Sequence, residues 1–349
     1  MEKWMKDICR RMPKAELHLH LDGALSPGIA AGLLRKMGGE CAPLSYRELY
    51  ERLVISENLA SQAELLAYFD LPGRLLHTEE GLREVTRSLL LEKAADHVRY
   101  CELRWAPALH CAKGLSPARV VETVADECRL VTGATGQTVR LIAVGMRTLP
   151  LAQNLAMLEE IAPLAGRLIA AADYAGPEAK SPDAQDQLAF FKRARELGLY
   201  VTLHCGELPN SAPRLRAAVE AIGPERIAHG AGAAQDPALC EMLRDRDIML
   251  DLCPTSNIQA GLYPDHKAYP LKRLAELRVP VSISTDDSVL SDLALSDEYI
   301  RLLEAGLIDL KALWRLNLDA LSHAFLEEAE KQRLLAEFED WAAGIKELR

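Results

Sequence analysis

Lys14-Ala-Glu-Leu-His-Leu-His-Leu-Asp-Gly23 is the stretch that decides the fold. It reads as a strand running into a turn. Side chains alternate along a strand, so His18 and His20 share one face and Leu19 and Leu21 take the other. Two imidazoles side by side can hold one divalent transition metal. Taken alone, H-x-H is equally well a pair of core histidines, so the rest of the chain must supply the context.

Short apolar, β-branched runs recur after this strand, each separated by a helical pattern. Strands are expected at Ala15–His20, Tyr100–Trp105, Val139–Met146, Leu168–Asp173, Tyr200–Cys205, Arg226–His229, Ile248–Leu252 and Val281–Thr285. Helices are expected between them, among others at Gly81–Val98, Pro117–Val131, Gln185–Leu197, Ala212–Ile222, Asp236–Arg244 and His266–Leu277. Ser116, Ser211 and Asp236 are read as caps, each with a proline just beyond. Eight strands alternating with helices predict a (β/α)8 TIM barrel, with a doubly wound open sheet as the other pattern of this kind.

From Gly23 to Arg99 the chain runs far longer than one crossover helix. Residues 24–98 are read as a helical insertion with helices near Pro27–Met37, Tyr46–Leu53 and Ser61–Phe69. Such an insertion leaves the C-terminal mouth of the first strand and can cover a site there. Leu65, Leu66 and Phe69 form an apolar cluster that serves either as a lid over a ligand or as packing against the barrel. Asp309–Leu321 and Leu326–Ile345 are read as closing helices. The whole chain, 1–349, is expected to be one domain.

The 349 residues are 49% hydrophobic and 26% charged, as in ordinary globular proteins, with a net charge of −10. That acidity argues against a nucleic-acid partner, which needs a basic footprint. Met1–Arg11 has no apolar core of a signal peptide, and no run reaches the length of a membrane span. Eight cysteines without a C-x-x-C pair fit reduced thiols. The expectation is a cytoplasmic protein with no membrane partner; the oligomeric state is left open.

The remaining polar residues fall at strand ends. His204 ends the fifth strand in Leu203-His-Cys-Gly-Glu207, and His229 ends the sixth in Ile227-Ala-His-Gly230. Cys253-Pro-Thr-Ser-Asn257 follows the seventh, and Ser284-Thr-Asp-Asp287 ends the eighth. In a barrel these ends face one pocket. One histidine there is ordinary; His18, His20, His204, His229, Glu207, Asp286 and Asp287 on one rim would be a costly way to pack a core. Three imidazoles and a carboxylate suit Zn²⁺ with a position left for water. The metal would make that water acidic, a nearby carboxylic acid could protonate a ring nitrogen, and a further histidine could hold or deprotonate the water.

Lys14-Ala-Glu-Leu-His-Leu-His-Leu-Asp-Gly-Ala24, His204-Cys-Gly-Glu207, Arg226-Ile-Ala-His-Gly230, Cys253-Pro-Thr-Ser-Asn-Ile-Gln-Ala-Gly261 and Ser284-Thr-Asp-Asp287 together resemble the adenosine deaminase family of metal-dependent amidohydrolases. Tyr100-Cys-Glu-Leu-Arg-Trp-Ala-Pro107 is similar to the family's second-strand segment. The motifs run in the family's order from residue 14 to residue 287. The resemblance implies hydrolytic replacement of the 6-amino group of an adenine nucleoside, with one Zn²⁺ per chain. It implies His18, His20, His204 and Asp286 as metal ligands. Glu207 would protonate ring N1, and His229 would position the attacking oxygen and take its proton. Asp287 would meet N7, the backbone N–H of Gly176 would meet N3, and Asp22 would meet a ribose hydroxyl. Asp286 thus counts among both the catalytic and the ligand groups, and His20 among both the ligand and the substrate-facing groups.

Three positions depart from the family pattern. Cys205 stands where alanine is usual and is read as a bland neighbour. Pro177 follows the substrate glycine where an acidic residue is common, which bears on substrate identity. Ser288 replaces a common proline and has no functional reading. The H-x-E…P-C-x-x-C signature of cytidine deaminases and the H-E-x-x-H of metalloproteases are absent. Gly230-Ala-Gly232 lacks the third glycine of a dinucleotide loop. Cys253 has no identifiable base and is read as structural. Two other function classes are weighed. A metal-dependent hydrolase of esters or lactones suits Glu207 and Asp287 poorly. A non-catalytic purine-binding protein is disfavoured because no ligand or acid is missing.

Overall fold

The computed structural model describes residues 1–37, 44–180 and 184–348. Part of the expected insertion, residues 38–43, lies outside the described residues. Eight parallel strands follow one another around a (β/α)8 barrel: β1 Lys14–His20, β2 Val98–Trp105, β3 Thr138–Met146, β4 Ile169–Ala175, β5 Tyr200–Cys205, β6 Arg226–His229, β7 Met249–Leu252 and β8 Val281–Ile283. The final seam is closed by a bridge between Leu19 and Asp286: His20 N–H donates to Asp286 O at 2.9 Å and Asp286 N–H donates to His18 O at 3.1 Å. No helix among the described residues is long and apolar enough to cross a membrane.

Why these segments fold this way is local chemistry. The strands are buried on both faces, which is why they read as apolar runs rather than clean alternations. Ser116 and Asp236 cap their helices as expected, accepting from Arg119 N–H and from Ala238 and Leu239 N–H. Ser211 makes no capping bond, because its own backbone is already helical. The helix expected at Gly81–Val98 is Glu79–Ala95; His97 takes φ 59° and ends it, which frees Val98 for β2. The helix expected at His266–Leu277 is a short 3-10 turn and then Leu271–Glu276. Pro270 between them cannot continue the hydrogen-bond ladder. Strand β4 runs past Asp173 to Ala175, and β8 stops at Ile283, short of Thr285.

Strand β1 departs from simple alternation. Glu16 sits two residues before His18 yet meets Lys93 of the surrounding helix at 3.0 Å, whereas His18 faces inward. Its pairing with β2 shifts register between Glu16 and Leu19, and the N–H groups of Leu17 and His18 both donate to Ser284 Oγ. This irregularity re-aims the second half of the strand so that both histidines reach the interior. The insertion carries helices Pro27–Met37, Tyr46–Leu53, Gln62–Ala67 and Pro72–Leu75 before Glu79–Ala95.

A column of buried charge fills the barrel interior below the strand ends. Arg226 pairs with Glu102 and, at 3.1 Å, with Asp251; Arg104 reaches Asp173 at 2.8 Å and lies 3.8 Å from Asp251. Tyr100 donates to Glu102 at 2.7 Å, and the Arg226 guanidinium lies 3.8 Å above the Phe325 ring. Removing one partner strands the others without water. Arg226→Met therefore leaves Glu102 and Asp251 uncompensated and should lower the unfolding free energy by about 3–5 kcal/mol. Urea denaturation with an unchanged slope measures this, and a loss below about 1 kcal/mol would contradict the reading.

Candidate active site

His18 and His20 arrive from the end of β1, His204 from β5, and Asp286 from just beyond β8. One donor atom from each lies within 4.8 Å of the others. His18 Nε2 and His20 Nε2 are 3.2 Å apart, and His20 Nε2 and His204 Nε2 are 3.1 Å apart. Asp286 Oδ1 is 3.0 Å from His18 Nε2 and 3.3 Å from His20 Nε2. The backbone supports this at some cost. Asp286 and His229 both have left-handed φ, 66° and 68°. Such conformations persist only where surroundings over-determine them. For Asp286 the two backbone bonds to β1 do that.

The donor chemistry fits a divalent transition metal. Ring nitrogens packed this closely cannot all satisfy one another, and a shared cation is the arrangement that suits them. Burial pushes the His18 and His204 imidazoles below their usual range, toward the neutral form a ligand needs. Burial would raise the Asp286 carboxyl, but His18, His229 and His20 outweigh it and hold it well below the usual range. His20 is the exception: burial lowers it, but Asp22, Asp287 and Asp286 together bring it up to about 9. Behind the donors, Asp173 Oδ2 lies 2.8 Å from His204 Nδ1 and so turns Nε2 toward the cluster. Arg104 holds that same Asp173 oxygen. A second group, His229, Cys253 and Asp286, shares a carboxylate with the first. Burial pushes the Cys253 thiol well up, so it keeps its proton and remains structural.

A cavity of about 280 Å³ opens onto this cluster. His20, Asp22, Gly176, His204, Glu207, His229, Asp286 and Asp287 line its polar side; Leu65, Leu66, Phe69, Leu109, Val144 and Met146 line much of the rest. Leu65, Leu66 and Phe69, read as either lid or packing, line the cavity, and Leu65 and Phe69 also pack with Ile55, Ala260 and Leu290. His229 Nε2 is 3.5 Å from Glu207 Oε1 and 3.7 Å from Asp286 Oδ2. His229 Nε2, Asp287 Oδ1 and Asp22 Oδ1 are buried without a hydrogen-bond partner. Burial and the neighbouring Asp286 push the Asp287 carboxyl well up. Gly23 makes room for it: a Cβ there would lie 1.8 Å from Asp287 Oδ1. Gly176 lines the cavity with φ 107°, a conformation that favours glycine.

Several residues in this arrangement carried no role in the sequence reading. Ser256 donates to Asp286 Oδ2 at 2.7 Å. Asn257 Nδ2 lies 3.1 Å from His229 Nδ1, and Tyr269 donates to Asn257 Oδ1 at 3.1 Å. Arg147 donates to Gly176 O at 3.1 Å and to His204 O at 2.5 Å. Glu178 is fully buried and accepts from the backbone of Gly206 and Glu207. The motif Cys253-Pro-Thr-Ser-Asn257 pointed at the first group; nothing in the sequence pointed at Arg147 or Glu178.

Two outcomes follow from this geometry. His204→Ala should lose the metal while keeping the fold; a full metal complement by elemental analysis would remove His204 from the donor set. Glu298 supports the Cys253–Asn257 segment by accepting from Thr255 N–H at 2.9 Å. Burial raises its carboxyl from 4.5 to about 7, although bonds from Thr255 oppose the shift. The folded state thus holds this proton more tightly than the unfolded chain. The stability it contributes is full below pH 4.5 and is lost as pH rises to about 7. Glu298→Gln should remove that decline, as read by denaturation midpoints between about pH 5 and 8; parallel curves for both proteins would sink the assignment.

The adenosine deaminase family model matches residues 13–341. The chain is 30% identical over 323 residues to an adenosine deaminase of Clostridium perfringens, covering 93% of this chain and 97% of that protein. The adenine deaminase of Arthrobacter aurescens superposes with a TM-score of 0.87 at 26% identity, covering 95% of this chain and 99% of that one. The N6-methyl-AMP deaminase of Arabidopsis thaliana shares the fold, with a TM-score of 0.84 at 23% identity over 97% of this chain and 99% of that one. Eight strands in barrel order, a His/Asp donor cluster at their ends and a family match over nearly the full length lead to one statement: this chain belongs to the adenosine deaminase family.

Proposed function

We propose that this chain hydrolytically deaminates an adenine nucleoside, converting adenosine or deoxyadenosine to inosine or deoxyinosine and ammonia. The observation that carries the reading is the meeting of four candidate metal donors, the Glu207 carboxyl and three buried polar atoms without hydrogen bonds around one cavity. His18, His20, His204 and Asp286 would hold one Zn²⁺, which when bound supplies a water acidic enough to ionise at about pH 7. Glu207 donates a proton to N1 as the ring loses aromaticity. His229 orients the attacking oxygen and accepts its proton. Asp287, whose carboxyl burial and Asp286 push well up toward the protonated form, would donate to N7, which can only accept. The Gly176 N–H meets N3.

Two features favour a nucleoside over a bare base or a nucleotide. Asp22 Oδ1 is a buried acceptor without a hydrogen bond, its nearest cation His20 Nδ1 lying 3.8 Å away. A sugar hydroxyl satisfies it, and free adenine leaves it stranded. The described residues lining the cavity include Asp22 and Glu207 but no lysine or arginine, so a phosphate would meet carboxylates rather than a cation. The alternative within the same chemistry is a related aminopurine, free adenine or a 5′-modified adenosine. The seven described cysteines are all free, which fits activity in the reducing cytoplasm.

Ammonia release from adenosine, deoxyadenosine, 5′-methylthioadenosine, adenine and AMP by zinc-analysed protein tests the reading. Fast turnover of adenosine and slow turnover of adenine and AMP is the expected result. Silence on all five with zinc present would reject it. Glu207→Gln should keep the zinc and lower turnover by about 10²–10⁴-fold; near-normal turnover would reject the proton-donor role.

A further inference from the structure

We infer that Glu178 is a positioning residue that fixes the acid Glu207 through its backbone. The inference rests on the deaminase reading above for what Glu207 does. Glu178 is wholly buried, and an anion there needs compensation. Most of it comes from the segment that carries Glu207. Oε2 accepts from Glu207 N–H at 2.7 Å and from Gly206 N–H at 3.1 Å, and Oε1 lies 3.2 Å from the same Gly206 nitrogen. The cation beside it, Arg214, is exposed to solvent, with Nε at 3.6 Å. Charge-assisted bonds to backbone N–H groups are short and directional, so the carboxylate sets where the main chain at Gly206 and Glu207 sits.

That main chain needs such a clamp. Gly206 has φ 97°, and a Cβ on it would lie 3.0 Å from Gly230 Cα. The turn thus puts the Gly206 backbone, just before Glu207, close beside that of Gly230, the residue after His229. Cys205 joins the same carboxylate, its thiol 3.4 Å from Oε1. This gives the cysteine at that position a partner that alanine would lack. Glu178 N–H in turn donates to Gln62 Oε1 at 3.1 Å, and Gln62 belongs to the helix that lines the cavity with Leu65 and Leu66.

Glu178→Gln keeps the shape but removes the negative charge and leaves one acceptor oxygen where the carboxylate offers two to the Gly206 and Glu207 N–H groups. Zinc content should stay at one per chain. Turnover of adenosine should fall about 10–100-fold with KM changed less than about threefold. In a double-mutant cycle, Glu178→Gln added to Glu207→Gln should cost little further turnover, because both act on the same proton donor. Hydrogen–deuterium exchange of the Gly206 and Glu207 amides should rise in Glu178→Gln. Faster exchange with unchanged turnover, or additive losses in the double variant, would overturn the positioning role. Unchanged exchange would overturn the contact itself. Exchange is read without substrate, so an inactive wild type would reject the deaminase reading while leaving the clamp tested. If Glu178→Gln fails to fold, Glu178→Asp, one methylene shorter, takes its place with the same readouts.

Discussion

The contact on which the rest depends is the one between Asp286 and strand β1. Its two backbone bonds, to His18 O and from His20 N–H, close the barrel. Its carboxylate, on the same residue, meets the imidazoles of those two histidines. Closing the sheet and gathering the donors are therefore one event. This explains how a non-glycine residue holds φ 66° there. The left-handed backbone disfavours an ordinary side chain, yet the strand on one side and Ser256 on the other leave Asp286 no alternative. Any change that loosens this seam disperses the donors as well.

Below the seam, the charged column makes the interior stiff in a way an apolar core would not. Glu102, Arg226, Asp251, Arg104 and Asp173 are each held by the next, and the last reaches His204. Bidentate guanidinium contacts have fixed directions, whereas aliphatic side chains repack. The column thus carries geometric information from the floor near Phe325 to the His204 imidazole of the donor cluster. A buried ion network of this kind is not an efficient source of stability, but it specifies one arrangement.

Much of this was legible in the sequence. Strand-end histidines and aspartates are readable because a parallel barrel sends every strand end to one rim. The paired histidines were readable because i and i+2 share a face. What was not legible acts through backbone atoms or across long separations. Glu178 and Arg147 bond to main-chain groups of Gly206, Glu207, Gly176 and His204, and no spacing rule marks a side chain that serves another segment's peptide bonds. The irregularity in β1 was hidden for a related reason. Strict alternation puts Glu16 with His18, but the shared acceptor Ser284 and the salt bridge to Lys93 lie more than seventy residues away. Pro270 breaks the helix expected at His266–Leu277, whereas Ser211 marks its helix start as expected but makes no capping bond because its own backbone is already helical.

The pair Asp286 and Asp287 shows how one short motif supplies two chemistries. Adjacent carboxyls buried together cannot both be charged at low cost. Here the imidazoles take one side of the pair and keep Asp286 ionised, while Asp287 faces the cavity beside that charge and is pushed toward its protonated form. A carboxylate held in its charged form and a carboxyl pushed toward its protonated form thus come from neighbouring residues of one type. Gly23 contributes by having no side chain where the Asp287 carboxyl must sit. The glycine that ends the opening motif and the aspartate that ends the last one are therefore a single steric fit. The first and last strands must meet at the barrel seam for either to make chemical sense.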